Sequence, residues 1–177
     1  QQKENTMKAL IILAIILAAI LGLLVFCFLL YVGVPTIAGL FVNPNKLYTK
    51  DNRFYRGLYV LLLRIALFFS RVKINYTGDE KIPEGRFLLI CNHRSNFDPL
   101  VTAVVMAKYK LAFISKEENL ARPIFGRVVR RICYMPLKRD DPRQALQIIN
   151  HSAELIKNDE CSATLCFAAL VRCSSDV

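Results

Sequence analysis

The segment 90–99 (ICNHRSNFDP) places an imidazole, His93, five positions before a carboxylate, Asp98. On one continuous helix the two would point about 140° apart. A turn between a strand end and a helix start can instead fold the carboxylate back onto the ring. An aspartate on one ring nitrogen fixes the tautomer and stabilises the imidazolium, leaving the other nitrogen to take a proton from a hydroxyl. No serine nucleophile accompanies the pair, so the substrate's own hydroxyl would attack. The same residues also have a purely structural explanation. Asp98 followed by Pro99 reads as a helix start, with Asp98 as the N-cap and proline at the first helical position. Cys91 stands two residues before His93, a spacing on a strand end that does not suit a Cys/His pair.

Such residues need a rim to stand on. After Pro83, apolar β-rich runs at 86–91, 111–116 and 133–138 alternate with segments at 99–109, 121–131 and 142–158 that are long enough for helices. A fourth strand is expected at 162–167 and an edge strand at 72–76. The clearest helix is the last, with Ala145, Ile148, Ile149, Ser152, Leu155 and Ile156 at spacings of three and four. This alternation predicts an α/β fold, a mainly parallel sheet with flanking helices. Ligands of such sheets bind outside the carboxyl ends of the strands, where His93 would lie.

The chain has 177 residues, enough for one domain and an appendage. Its 54% hydrophobic and 21% charged content excludes a disordered or coiled-coil protein, and its net charge of +10 favours an anionic partner. Between Lys8 and Lys46 there is no charged residue. Residues 9–34 are almost wholly Ala, Leu, Ile, Val and Phe, and as a helix they would rise about 39 Å against a hydrocarbon core of about 30 Å. That overshoots a signal-peptide core, so a membrane anchor is expected rather than a cleaved leader. The flanking charges are Lys3 and Lys8 on one side and Lys46, Lys50, Arg53, Arg56, Arg64, Arg71 and Lys73 on the other. This asymmetry puts the body at the cytoplasmic face of the cytoplasmic membrane. Six cysteines without CxxC pairs are expected as free thiols, and the sequons at Asn75 and Asn150 as chance matches.

Residues 53–72 are apolar nearly all round, with Arg53, Arg64 and Arg71 in one narrow stripe and Arg56 to its side. That suits an amphipathic helix at the membrane interface, the alternative being a core-facing helix with one solvated edge. The expected organisation is an anchor at 1–50, an interfacial helix at 51–72 and an α/β domain at 73–177. There is no P-loop, no GxGxxG and no His/Cys cluster, so neither metal nor nucleotide cofactor is expected.

The string NHRSNFD, directly after an apolar strand, resembles the first block of the glycerolipid acyltransferases. That family includes the lysophosphatidic acid and glycerol-3-phosphate acyltransferases, and its signature is Asn-His-x-Ser with an Asp five residues after the His. SKEENLARPIFG (115–126) is similar to the family's Lys-x-Glu-Leu and Pro-x-x-Gly segment, and CYMPLKRDD (133–141) to its next block, a strand ending in Arg. The blocks stand in the family's order over about residues 72–160.

The resemblance implies acyl transfer from acyl-coenzyme A or an acyl carrier protein to the free hydroxyl of 1-acyl-glycerol-3-phosphate. His93 would be the base and Asp98 its orienting partner, with Asn92, Arg94 and Ser95 on the substrate and Lys116 and Arg139 near the acceptor's phosphate. The implied partners are a lipid bilayer, an acyl thioester donor and a lysophospholipid acceptor, with no nucleic acid and no cofactor beyond the donor. The family's third block, Phe-Pro-Glu-Gly-Thr-Arg, is replaced by Phe167-Ala168-Ala169-Leu170-Val171-Arg172. Leu and Val at the Gly and Thr positions remove a tight turn and polar groups. A truncated or frame-disrupted member is therefore expected, and the alternative function is that of a catalytically inactive, membrane-associated binding protein.

Overall fold

The computed structural model describes residues 1–93, 95, 97–138 and 140–168, with the backbone alone at 92–93 and 164–168. Helix α1 runs over Gln2–Leu40 and continues past Pro35, where the Thr36 hydroxyl donates to the Val32 carbonyl at 2.6 Å. At 39 residues it is about 58 Å long, and it is apolar enough to cross a membrane. Its side chains are exposed until Tyr31; the last turns bury Pro35, Ala38 and Gly39 against the body.

Helix α2 (Arg53–Phe69) starts where the Asn52 side chain accepts from the Phe54 and Tyr55 amides. The helix that is apolar all round in sequence has two different faces. Tyr59, Leu63 and Leu67 are buried, whereas Phe54, Leu61, Phe68 and Phe69 are exposed beside Arg53, Arg64 and Arg71. Arg56 does not extend that outer basic stripe. It turns inward to Asp51 and to the carbonyls of Leu111 and Ile132 at 3.1 and 3.3 Å, because its helical position falls on the core-facing side. Helices α1 and α2 run antiparallel where they meet, with the Tyr55 hydroxyl on the Ala38 carbonyl and that of Tyr31 on the Leu62 carbonyl.

Four parallel strands follow among the described residues: β1 (Leu88–His93), β2 (Leu111–Lys116), β3 (Met135–Leu137) and β4 (Ser162–Ala168). Their spatial order is β1-β4-β2-β3, so the last strand inserts between the first two. Residues 72–76 do not form the expected edge strand. The stretch 73–77 is exposed, and Ile74 and Tyr76, its alternating apolar side chains, face solvent instead of the sheet. It is instead tethered by Asp79, which accepts from the hydroxyls of Tyr76 and Tyr109 and from Lys108.

The expected helix at 99–109 is α3 (Asp98–Val105) with a 3-10 turn at Ala107–Tyr109, and Lys110 closes it at a φ of 51°. A short helix not expected from the sequence, α4 (Glu117–Leu120), follows β2, and the expected helix at 121–131 is shortened to α5 (Phe125–Arg130), because Pro123 has no amide to carry a ladder through. Helix α6 (Pro142–Lys157) begins at Asp141, whose carboxylate accepts from the Arg143 and Gln144 amides.

Alternation along β2 separates two cores. Leu111 and Phe113 face Tyr59, Leu63, Ala103 and Val129 on one side of the sheet, while Ala112 and Ile114 face Ile148 and Leu155 of α6 on the other. Full burial of each large apolar side chain contributes about 1.5–3 kcal/mol. Cys133 and Cys161 are buried free thiols, and His151 holds the Tyr48 carbonyl at 3.2 Å, so neither serves a surface site. Ser152 of the second sequon is likewise buried, donating to the Ile149 carbonyl at 2.7 Å.

Candidate active site

The parallel sheet brings the sequence's reactive segments to one edge. His93 is the last residue of β1, level with Ala168 of β4, and Lys116 is the last residue of β2, level with Leu137 of β3. Asn92 pairs with Phe167, and Ile114 with Leu165. Two residues onward from the latter pair, Lys116 comes level with Phe167 and therefore with Asn92. These backbones stand two strand spacings apart, roughly 10 Å. Strand β4 lies between them, and the carboxyl edge that the three strands share is the usual place for a ligand on a parallel sheet.

Ahead of α3, Ser95, Phe97 and Asp98 are joined by local hydrogen bonds. The Phe97 amide donates to the Ser95 hydroxyl and the Ser95 amide to Oδ2 of Asp98, each at 3.1 Å, while the Asp98 amide donates to the Ser95 carbonyl at 3.2 Å. The Asp98 carboxylate is thus folded back across the turn toward the end of β1. Asp98 is the first residue of α3 rather than the N-cap expected from sequence. Phe97, already helical at φ −79°, ψ −26°, takes the flanking position. Pro99 remains in the first turn, and the Thr102 hydroxyl donates to the Asp98 carbonyl at 2.8 Å. The side chains of Asn92 and His93, and the whole of Arg94 and Arg139, lie outside the described residues.

Lys116 is exposed at the rim. Beside it Lys138 and Glu117 pair at 3.4 Å, and Asn119 donates to the Ser115 hydroxyl at 3.0 Å. Three arginines of α5 and its end, Arg127, Arg130 and Arg131, look alike in sequence but separate in space. Arg127 reaches the Gly39 carbonyl and Arg131 the Lys50 carbonyl, whereas Nε of Arg130 is buried with no hydrogen-bond partner among the described residues. Burial lowers the Arg130 pKa, and the charge of Glu117 opposes that shift. Nothing in the spacing of GRVVRR marks Arg130 as the arginine with a buried Nε.

The family model described as Acyltransferase matches residues 73–167. The chain belongs to the Acyltransferase family. The matched segment contains β1, the Ser95–Asp98 turn, Lys116 and most of β4, and it ends at Phe167, where the sequence leaves the expected third block. Among curated proteins, the chain is 29% identical over 140 residues to a 1-acyl-sn-glycerol-3-phosphate acyltransferase of Streptococcus pneumoniae, covering 76% of this chain and 50% of that protein. It is 27% identical over 100 residues to a probable 1-acyl-sn-glycerol-3-phosphate acyltransferase of Mycoplasma genitalium, covering 54% of this chain and 37% of that protein. The chain therefore spans half or less of the length of these curated relatives. No solved structure matches it significantly.

Proposed function

We propose that this chain transfers a fatty acyl group from acyl-coenzyme A or an acyl carrier protein to the free hydroxyl of 1-acyl-glycerol-3-phosphate, forming phosphatidic acid. The observation that carries this reading is the Asp98 carboxylate folded back on the Ser95 amide at the carboxyl edge of the sheet, within the segment that matches the family. His93 takes the hydroxyl proton as the acceptor oxygen attacks the thioester carbonyl. Asp98 holds the ring tautomer and stabilises the imidazolium. Backbone amides meet the oxyanion, and the thiolate then leaves. Asn92, Arg94 and Ser95 line the acceptor, while Lys116 and Arg139 hold its phosphate, a group that favours charge-assisted donors.

Helix α1 anchors the chain in the bilayer, and the exposed Phe and Arg residues of α2 lie at the headgroups, with the body on the cytoplasmic side. The flanking charges support that orientation. The test is phosphatidic acid formation by the purified chain, given labelled acyl-coenzyme A and 1-acyl-glycerol-3-phosphate. Activity lost in His93→Ala is expected; activity retained there refutes the proposed base. One observation favours a second reading, an inactive membrane-bound binding protein: Leu170 and Val171 stand where the family's Gly and Thr are expected. Binding of the lysolipid without turnover in the same assay identifies that case.

A further inference from the structure

An apolar cleft of about 200 Å³ opens where the anchor helix meets the body. Its walls include Tyr31 and Val32 of α1, Leu62 and Leu63 of α2, and Ile124 and Phe125 of α5. They offer no polar group for a ligand. The Tyr31 hydroxyl is engaged by the Leu62 carbonyl at 3.4 Å, and the hydroxyl of Tyr59, whose ring also lines the cleft, is 3.0 Å from that of Tyr134. A polar ligand would lose its hydration here without gaining a partner. Water is no better served, since cavities lined by aliphatic and aromatic side chains stay dry. Hydrocarbon suits the walls. An apolar cavity of about 150 Å³ binds benzene, so this cleft has room for a run of methylenes.

What adjoins the opening decides which hydrocarbon enters. From Leu10 to Leu30, α1 exposes its large apolar side chains all round, and Tyr31 and Val32 are where this surface first becomes partly covered. Hydrocarbon surrounding α1 is therefore continuous with the cleft. We propose that the cleft seats one acyl chain of a bilayer glycerophospholipid, wedged between α1 and the α/β body; this rests on α1 lying in a bilayer. The lipid fills the gap that the two tyrosine hydrogen bonds between α1 and α2 leave open, and it sets how the anchor meets the body. It is a bound structural lipid, separate from the acceptor at the carboxyl edge of the sheet.

The experiment uses the full chain in phosphatidylcholine vesicles doped with phosphatidylcholine carrying a diazirine midway along one acyl chain. After irradiation, adducts are mapped by peptide mass spectrometry. The expected result is labelling of the α1 apolar stretch and also of residues 62–63 and 124–128. Val32→Trp, on the partly exposed side of α1, fills the cleft and is expected to abolish the adducts at 124–128 while those along α1 persist. Ile124→Trp, filling from the opposite wall, is expected to abolish the adducts at 62–63. Wild-type adducts on α1 with none at 62–63 or 124–128 overturn the lipid site but leave the anchor intact. No adducts on α1 overturn both, and cleft adducts that survive both substitutions overturn the site.

Discussion

Asp51 and Arg56 form a buried ion pair, with Oδ1 to Nη2 at 2.6 Å and side-chain exposures of 4% and 12%. Burial alone would lower the Arg56 pKa, but the hydrogen bond and charge of Asp51 outweigh it and hold the guanidinium above its ordinary value. The same guanidinium donates to the Leu111 and Ile132 carbonyls and lies 3.7 Å from the Cys161 sulfur. One side chain thereby joins α2 to the starts of β2 and β4 and to the turn before β3.

Removing the carboxylate leaves a buried cation without its counter-ion. Asp51→Asn is expected to destabilise the protein by about 3–5 kcal/mol, the usual cost of breaking a buried pair. Urea denaturation of the detergent-solubilised protein measures this, and a loss below about 1 kcal/mol, the scale of exposed pairs, contradicts a buried role.

A second prediction concerns the glycine of the segment PIFG. A Cβ at Gly126 would stand 2.0 Å from the Leu120 carbonyl oxygen and 2.6 Å from its carbon, backbone atoms that cannot swing aside. Gly126→Ala therefore forces α4 away from α5, with an expected cost of about 1–3 kcal/mol. At this chain length each kcal/mol lowers Tm by about 2–4 °C, which a thermal melt resolves. Gly57→Ala, with nothing within 4 Å of the added carbon, is the matched control and should not melt lower.

Alkaline stability depends on Tyr59. Burial pushes its pKa up from 10.0 to about 12, against the opposing hydrogen bond from Tyr134 and the charge of Arg56. The folded protein then holds a proton that the unfolded chain releases first. Stability is full below about pH 10 and falls by about 3 kcal/mol as pH rises to about 12. Tyr59→Phe removes this titration, so denaturation midpoints followed across that interval should decline less steeply than in the wild type. An unchanged slope excludes Tyr59 as the titrating group.

At the rim, Asp98→Asn keeps an oxygen for the Ser95 amide but removes the carboxylate's charge. If Asp98 orients His93, kcat should fall by about 10²–10⁴ with KM for the lysolipid little changed. Lys116→Ala should act the other way, raising KM for the phosphate-bearing acceptor more than it lowers kcat. Initial rates over a range of lysolipid concentrations separate the two effects, and the reverse pattern would mean that the roles are exchanged.

The strongest periodicities in the sequence survived folding. Residues 111–116 form β2, and the expected 142–158 helix is α6 without its last residue. The expected strand at 133–138 shrinks to Met135–Leu137, as Cys133 adopts a left-handed φ of 66° in the turn before it. Side-chain destinations were harder to read. Arg56 resembles its neighbours Arg53 and Arg64 until Asp51, Leu111 and Ile132 meet it from distant parts of the chain. Asp98 reads equally well as a cap or an acid, and only the fold of the Ser95 turn shows its carboxylate reaching back. Strand order has no local signal at all, since which edges pair depends on crossovers rather than on any stretch of residues.

That order has a consequence during synthesis. Strands β1 and β2 leave the ribosome long before β4, and in the finished sheet they do not touch each other; residues 162–168 fill the space between them. Until those residues emerge, β1 and β2 each lack the neighbour that satisfies their amides and carbonyls in the finished sheet. Helix α1 is made first and the edge carrying His93 is knitted last, so the long apolar helix exists well before the sheet edge is complete.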